Sequence, residues 1–369
     1  MKHVIAIVDS HLSHRLAVVE ALADQYEVQA YESGANAIAG MQISPPKVIL
    51  MGQRVGAGNG IVVIRELRRD PFLAHIPVIF VADNEDSRTV DILRELGIKD
   101  RLVKPYARSG LMALLSKHIN GRIERGWQDL PPSQRRALES SLNAFNAIAD
   151  DLAHGKALPF HEVANSCDAV VEVVNSKQLG SLLEQIRDHD NFTYVHSLRF
   201  AALMALFGKA IGLPHDQQVL VASGGMLHDI GMMAIPKTVL NKEGNLTPND
   251  WGLLRNHVTT SERLLSTGSG IPKGVATIVS HHHERLDGSG YPRKMAGNEL
   301  NQLARMAGII DVFCGLTDRR PYRRTLAPHV ALELMATDMS HQLDMELLER
   351  FKEILLDSAE LGLTQTAAE

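Results

Sequence analysis

The chain has 369 residues, 45% of them hydrophobic and 22% charged, which allows about two domains with a core in each. A net charge of -5 excludes a general pull toward nucleic acid or anionic membrane, so a phosphate ligand would need local cations or metals. Two cysteines, an N-terminus (MKHVIAIVDS) too short in apolar residues for a signal peptide, and no run near the roughly 20 apolar residues of a membrane helix together predict a soluble cytoplasmic protein without membrane association.

The first 120 residues alternate short apolar runs with amphipathic ones. Val4–Val8, Val28–Tyr31, Val48–Met51, Val78–Ala82 and Arg101–Val103 read as strands. Helical spacing covers Leu12–Ala23, Ala35–Met41, Ile61–Arg68, Arg88–Leu96 and a stretch ending near Ile119. This order predicts a doubly wound α/β domain over 1–120 with a five-stranded parallel sheet, and strands as apolar as VIFVA suit burial on both faces. Residues 121–151 are charged and helical in pattern, broken by Leu130-Pro131-Pro132, and read as a helical linker. Helical periodicity then dominates, so an all-α domain is expected over 152–361, with a frayed tail at 362–369.

The chain holds 17 histidines, and several in the C-terminal half stand beside acids. They fall in His196-Ser197, His228-Asp229, His257 and His282-His283-Glu284, with Asp311 further on. Imidazole and carboxylate in this ratio suit iron, manganese or zinc rather than calcium or magnesium alone. Six or seven such ligands exceed the needs of one tetrahedral ion, which implies two. Asp229 has two carboxylate oxygens and could bridge them.

The strings LHDIG, HHHERLDGSGYP, DVF and RRPYR resemble an HD-GYP domain, a subgroup of the HD phosphohydrolase superfamily. The resemblance assigns metal ligation to His196, His228, Asp229, His257, His282, His283 and Asp311, with His228 and Asp229 the catalytic pair. It implies two divalent transition metals, iron or manganese foremost, with zinc, nickel and cobalt also compatible. It implies a phosphodiesterase hydrolysing cyclic di-GMP to linear pGpG or GMP by attack of a metal-bridging hydroxide. Arg320, Arg323 and Tyr291 are the candidate substrate contacts, a planar guanidinium being suited to paired phosphate oxygens. Tyr291 has packing as its alternative role. Glu284 could orient a ligand imidazole, and Asp287 belongs either to the border of the site or to the shaping of its loop.

Three positions depart from the family pattern. Met232 stands where a lysine usually follows HDIG, and Phe192 stands four residues before His196 where some members carry a glutamate ligand. Cys314 replaces the usual second aspartate of the DVF segment and reads as a small buried hydrophobe. His281 is expected to be an exposed neighbour, and His189, in RDHDN, to lie in a solvated loop. Loss of the Met232 cation leaves an alternative to catalysis: a weak or inactive cyclic-dinucleotide sensor or scaffold acting through protein contacts.

The N-terminal domain resembles a response-regulator receiver, on strand–helix order, Asp9 after strand one and Lys104-Pro105 after strand five. Gly52 falls where the phospho-acceptor aspartate belongs, Ser10 replaces the second metal-binding acid, and Val81 or Ala82 replaces the hydroxyl switch. A glycine cannot be a nucleophile, so no phosphorylation is expected. Lys104 then reads as a structural lysine, and the domain's work as dimerisation or docking. The resemblance implies a homodimer and GGDEF-type or other signalling proteins as partners. No basic element that could read DNA follows the receiver, so direct DNA binding is not expected.

Overall fold

The structure, a computed structural model, describes residues 3–23, 26–84, 87–187, 189, 191–235, 239, 247–318 and 325–357. It divides into two compact units, Met1–Glu124 and Arg125–Glu369. Arg320, Arg323 and the tail at 362–369, expected above as phosphate contacts and a frayed end, lie outside the described residues.

In the first unit, strands β1 (His3–Val8), β2 (Tyr26–Tyr31), β3 (Val48–Gly52), β4 (Val78–Ala82) and β5 (Arg101–Val103) form one parallel sheet in the order β2-β1-β3-β4-β5. Ile5 pairs with Val28 on one side and with Val48 on the other, and Ile49 pairs with Val78. Side chains alternate across the sheet. Ala6, Val8, Ile49, Met51 and Phe80 face the helices α2 (Gly34–Ile43), α3 (Gly60–Arg69) and α4 (Ser87–Glu95). Ile5, Ile7, Leu50 and Ile79 face α1 (Leu12–Leu22) and α5 (Arg108–Ile119). Each central strand therefore has two apolar neighbourhoods, which is why β3 and β4 read as unbroken apolar runs. A small antiparallel ribbon, Arg54–Val55 with Gly58–Asn59, follows β3.

The second unit is helical, as the periodicity predicts. A short helix, α6 (Gly121–Gly126), spans the division between the units, and a 3-10 turn follows at Trp127–Asp129. Then come α7 (Pro132–Ala153), α8 (Phe160–Asn175), α9 (Leu179–Ile186), α10 (Phe192–Ala210) and α11 (His215–Leu227). After a 3-10 turn at Ile230–Ala234 the chain continues through α12 (Pro248–Arg255), α13 (His257–Leu265), α14 (Lys273–His281), α15 (Gln302–Thr317), α16 (Pro328–Asp338) and α17 (Met345–Asp357). The centre is α10, buried almost continuously from Ser197 to Gly208.

Helix α7 lies in the stretch expected to link the domains, yet it packs within the second unit. It buries Leu138, Phe145 and Ile148, and Ser141 Oγ lies 2.9 Å from the Tyr194 hydroxyl of α10. The expectation for His189 is corrected. It is 2% exposed, stacked on Trp127 at 6.1 Å and edge-on to Tyr194 at 5.2 Å. Its polar neighbours in sequence gave no hint that a tryptophan from 62 positions earlier would cover it.

Candidate metal centre

Four helix ends and one helix interior bring the histidines together. His228 directly follows α11, His282 directly follows α14, and His257 opens α13 immediately after α12 and its cap Asn256. The last carbonyls of a helix lack intrahelical donors. Each of these imidazoles fills that gap three residues back: Nδ1 of His228 bonds the Gly225 carbonyl at 2.7 Å, Nδ1 of His257 that of Leu254 at 2.6 Å, and Nδ1 of His282 that of Val279 at 2.9 Å. A carbonyl can only accept, so Nδ1 carries the proton and Nε2 offers a lone pair.

Those lone pairs converge on Asp229. Its Oδ2 lies 3.4 Å from Nε2 of His228 and 3.6 Å from Nε2 of His196. Its Oδ1 lies 3.1 Å from Nε2 of His257 and 3.7 Å from Nε2 of His282. Within the first set the two Nε2 atoms are 3.1 Å apart, and within the second 3.4 Å. Nitrogen lone pairs at such distances repel unless a proton or cation lies between them. Two ligands about 2.1 Å from one ion stand about 3.0 Å apart at a right angle and about 3.4 Å apart at the tetrahedral angle. Both sets fit that spacing. Oδ1 of Asp229 is buried with no hydrogen-bond partner, a further sign of a site built for cations. His283 belongs to the second set with Asp229, His257 and His282.

The electrostatics keep the Asp229 carboxylate charged among these imidazoles. Burial would push the Asp229 carboxyl up, but the neighbouring His228 and His257 imidazoles more than offset it and hold it well below the usual carboxylate range. Burial, reinforced by the neighbouring His283 and His228, holds His282 well below an ordinary histidine, hence neutral. His257 is drawn the other way: burial opposes its charge, and its contact with Asp229 outweighs that. Phe200 stacks on His228 at 4.0 Å and screens it from water.

Residues 181–347 match the family described as HD domain, and residues 5–116 match the response regulator receiver domain. A cyclic di-GMP phosphodiesterase of Pseudomonas aeruginosa is 35% identical over 195 residues, covering 52% of this chain and 46% of that protein. RpfG of Xanthomonas campestris pv. campestris, described as a cyclic di-GMP phosphodiesterase response regulator, is 28% identical over 333 residues, covering 89% of this chain and 81% of that one. A solved structure described as a HDG"Y"P protein from Bdellovibrio bacteriovorus matches with a TM-score of 0.51 at 17% identity, over 66% of this chain and 80% of that one, and speaks for the fold alone. The second unit is an HD domain, and the first is a receiver domain. The chain spans about half the length of the Pseudomonas relative.

An HD domain implies divalent metal binding, and the two His/Asp sets around Asp229 are its candidate sites here. Of the seven ligands expected from sequence, the HD domain brings His196, His228, Asp229, His257, His282 and His283 to this centre. Asp311, on α15, is not in those two sets but reaches His283 of the second. Its Oδ2 is 3.0 Å from Nδ1 of His283 and 3.1 Å from Arg285, which itself bonds the carbonyls of His282 and Glu284. Tyr291 stacks on His283 at 4.6 Å, beneath the Arg255 guanidinium at 5.2 Å. Burial, then the negative Asp311 and Asp229, push its hydroxyl up, so it stays protonated.

Glu284 does not orient an imidazole. Its two oxygens accept from the backbone N–H groups of Arg293 at 2.7 Å and Met295 at 3.0 Å, which pins the loop after His283. Asp287 accepts from Ser289 N at 2.9 Å and Ser289 Oγ at 2.6 Å and shapes the same loop. Phe192 is partly exposed, and His281 sits 3.3 Å from Arg293. Cys314 is fully buried but faces polar company: its sulfur lies in one cluster with His196 and Asp318. Sequence reasoning missed Asp318 and Arg285. For Asp318, burial is outweighed by His196 and Arg199, which bring its carboxyl down to about 2.

In the receiver domain, Asp9 is 1% exposed at the carboxyl end of the sheet. Lys104 Nζ lies 2.7 Å from its Oδ2 and 3.1 Å from Asp83, and Nδ1 of His14 lies 2.8 Å from the same Oδ2. Burial would raise the Asp9 carboxyl, and His14, Lys104 and His11 overcome it and hold it low. Gly52 ends β3 directly against this group. A Cβ there would lie 2.7 Å from both Cγ and Oδ2 of Asp9, so the acceptor position has no room for a side chain as the pocket stands.

Proposed function

We propose that the chain is a phosphodiesterase that hydrolyses cyclic di-GMP at the Asp229 centre, with two ions, iron or manganese, shared by His196, His228, Asp229, His257, His282 and His283. The observation that carries this is the division of Asp229: each oxygen faces its own pair of imidazole lone pairs. The names of the two relatives support the substrate. Bound ions would acidify water and neutralise phosphate oxygens.

The chain's own residues do the rest. Backbone carbonyls fix the tautomers of His228, His257 and His282, and the ionised Asp229 supplies negative charge to both positions. Tyr291, held protonated and stacked on His283, can donate a hydrogen bond to a phosphate oxygen. In the reaction, water's oxygen bonds to phosphorus, the bond from phosphorus to the 3′-oxygen breaks, and that oxygen leaves with a proton. The first product is linear pGpG, and a second cycle gives GMP. Arg320 and Arg323 are proposed as phosphate contacts. Residues 1–120 are proposed as a receiver that docks or dimerises rather than accepting a phosphoryl group, and the chain as a cytoplasmic homodimer with GGDEF-type partners.

Chelated protein reloaded with manganese or iron(II), mixed with cyclic di-GMP and resolved by chromatography, tests this. Accumulation of pGpG or GMP by wild type but not by Asp229→Ala is expected, and intact substrate at full metal loading would overturn it. One observation favours a second reading, a sensor that binds without turnover. Met232, in the turn after Asp229, places a thioether where the family pattern carries a cation. Tight binding with all nucleotide recovered unchanged would select it.

A further inference from the structure

His196 is the exception among the converging imidazoles. His228, His257 and His282 are each oriented by a main-chain carbonyl at a helix end. His196 sits in the second turn of α10, and the carbonyl three residues back, on Thr193 near the start of the helix, is not among the last four carbonyls that lack intrahelical donors. Its Nδ1 instead meets a side chain 122 residues away, Oδ2 of Asp318, at 2.5 Å. Arg199, one turn on from His196, donates from Nη1 to the other oxygen of Asp318 and from Nη2 to Thr317 Oγ1 at 2.8 Å. Both carboxylate oxygens are thereby engaged, and α10 is tied to the end of α15.

Asp318 caps α15, and its N–H bonds the Cys314 carbonyl at 2.8 Å, so the two residues stand one helical turn apart on the same side. The Cys314 sulfur, the Asp318 carboxylate and a His196 nitrogen lie within 4.8 Å of one another. A thiol is a weak acceptor and could not hold an imidazole in one orientation.

Resting on the proposed metal reading, we infer that Asp318 is the positioning residue for the ion shared by His196, His228 and Asp229. It fixes His196 with Nε2 toward the ion and supplies, one turn along α15, the carboxylate that position 314 lacks. Arg199 locks the Asp318 rotamer. The ion on the His257 and His282 side has no dependence on Asp318.

The test is manganese(II) binding to the full chain, stripped by a chelator and titrated against a competing indicator, with far-UV circular dichroism as a control for folding. Wild type should take up two ions. Asp318→Asn should weaken one of them by about 10- to 100-fold, the usual cost of losing a partner behind a metal ligand, and leave the other unchanged. Asp318→Ala should do at least as much, and adding Cys314→Asp to it should recover most of the lost affinity. Should Asp318→Ala fail to fold, the near-isosteric Asp318→Asn carries the measurement. Two-ion binding by Asp318→Asn at wild-type affinity, or equal weakening of both ions in folded protein, overturns the inference alone. A wild type that binds no manganese removes the metal reading and this inference with it.

Discussion

Asp229→Ala and His257→Ala should differ in how many ions they affect. Oδ1 of Asp229 faces the Nε2 atoms of His257 and His282 at 3.1 and 3.7 Å, and Oδ2 faces those of His228 and His196 at 3.4 and 3.6 Å. Truncating Asp229 removes one ligand from each position, whereas truncating His257 removes one ligand from one position. A four-ligand site gains about 10–16 kcal/mol from its metal, or about 2.5–4 kcal/mol per ligand. At about 1.4 kcal/mol per decade that is roughly two to three decades of affinity per lost ligand. His257→Ala should therefore weaken one ion by about 100- to 1,000-fold and spare the other. Asp229→Ala should weaken both by that factor, about four to six decades in the product of the two constants. Stepwise manganese titration, checked by elemental analysis of the dialysed protein, separates the two patterns. Asp229→Ala that weakens a single ion, or a His257→Ala protein that loses both equally, would refute the bridging geometry.

Three further outcomes follow from the same contacts. The carboxyl of Asp9 is held below its ordinary value, so its stabilising share is present above about pH 3.9 and lost as the pH falls through that value toward its folded one. Denaturant midpoints at pH 6 and pH 3.5 should show a smaller acid loss for Asp9→Asn than for wild type. Gly52→Asp should not restore phosphorylation by acetyl phosphate: its Cβ would come 2.7 Å from Asp9, and overpacking should cost about 1–3 kcal/mol by chemical denaturation. Phosphate-affinity gels showing a shifted band in that variant would contradict this. Gly231→Ala would put a Cβ 2.0 Å from the His257 carbonyl oxygen and 2.7 Å from Ser261 Oγ. It should displace His257 and weaken manganese binding selectively on the His257 and His282 side, while wild-type binding at both ions would dismiss the clash.

The fold class was legible because it depends on local periodicity. Runs such as VILMG and VIFVA are buried along their whole length, and the helices of the second unit follow their apolar spacing. The centre was legible because its chemistry is concentrated in short strings, LHDIG and HHHERLDGSGYP, and because imidazoles and carboxylates are few enough to be counted. What escaped was decided by distant packing. His189 looks solvated among Asp188, Asp190 and Asn191, and only the fold lays Trp127 against it. Glu284 adjoins two proposed ligands in sequence, yet its side chain turns to the loop at Arg293 and Met295. Asp318, in the polar stretch TDRR, meets a histidine 122 residues earlier, and no local pattern encodes that.

The adjacency of His228 and Asp229 has its own physical cause. Neighbouring side chains on a helix diverge by about 100°, and on a strand by 180°, so neither element lets consecutive residues serve one centre. Here α11 ends at Leu227. His228 keeps helical angles, while Asp229 turns to φ -105° and ψ 15°, the sparsely occupied bridge region that active-site residues favour. The chain then tightens into the Ile230–Ala234 turn, where Gly231 passes against the His257 carbonyl and donates its N–H to Ser261 Oγ at 2.8 Å. That bond anchors the turn to α13, the helix that His257 opens. The departure from the helix that allows two consecutive residues to converge is thus the same one that docks their turn against a third proposed ligand.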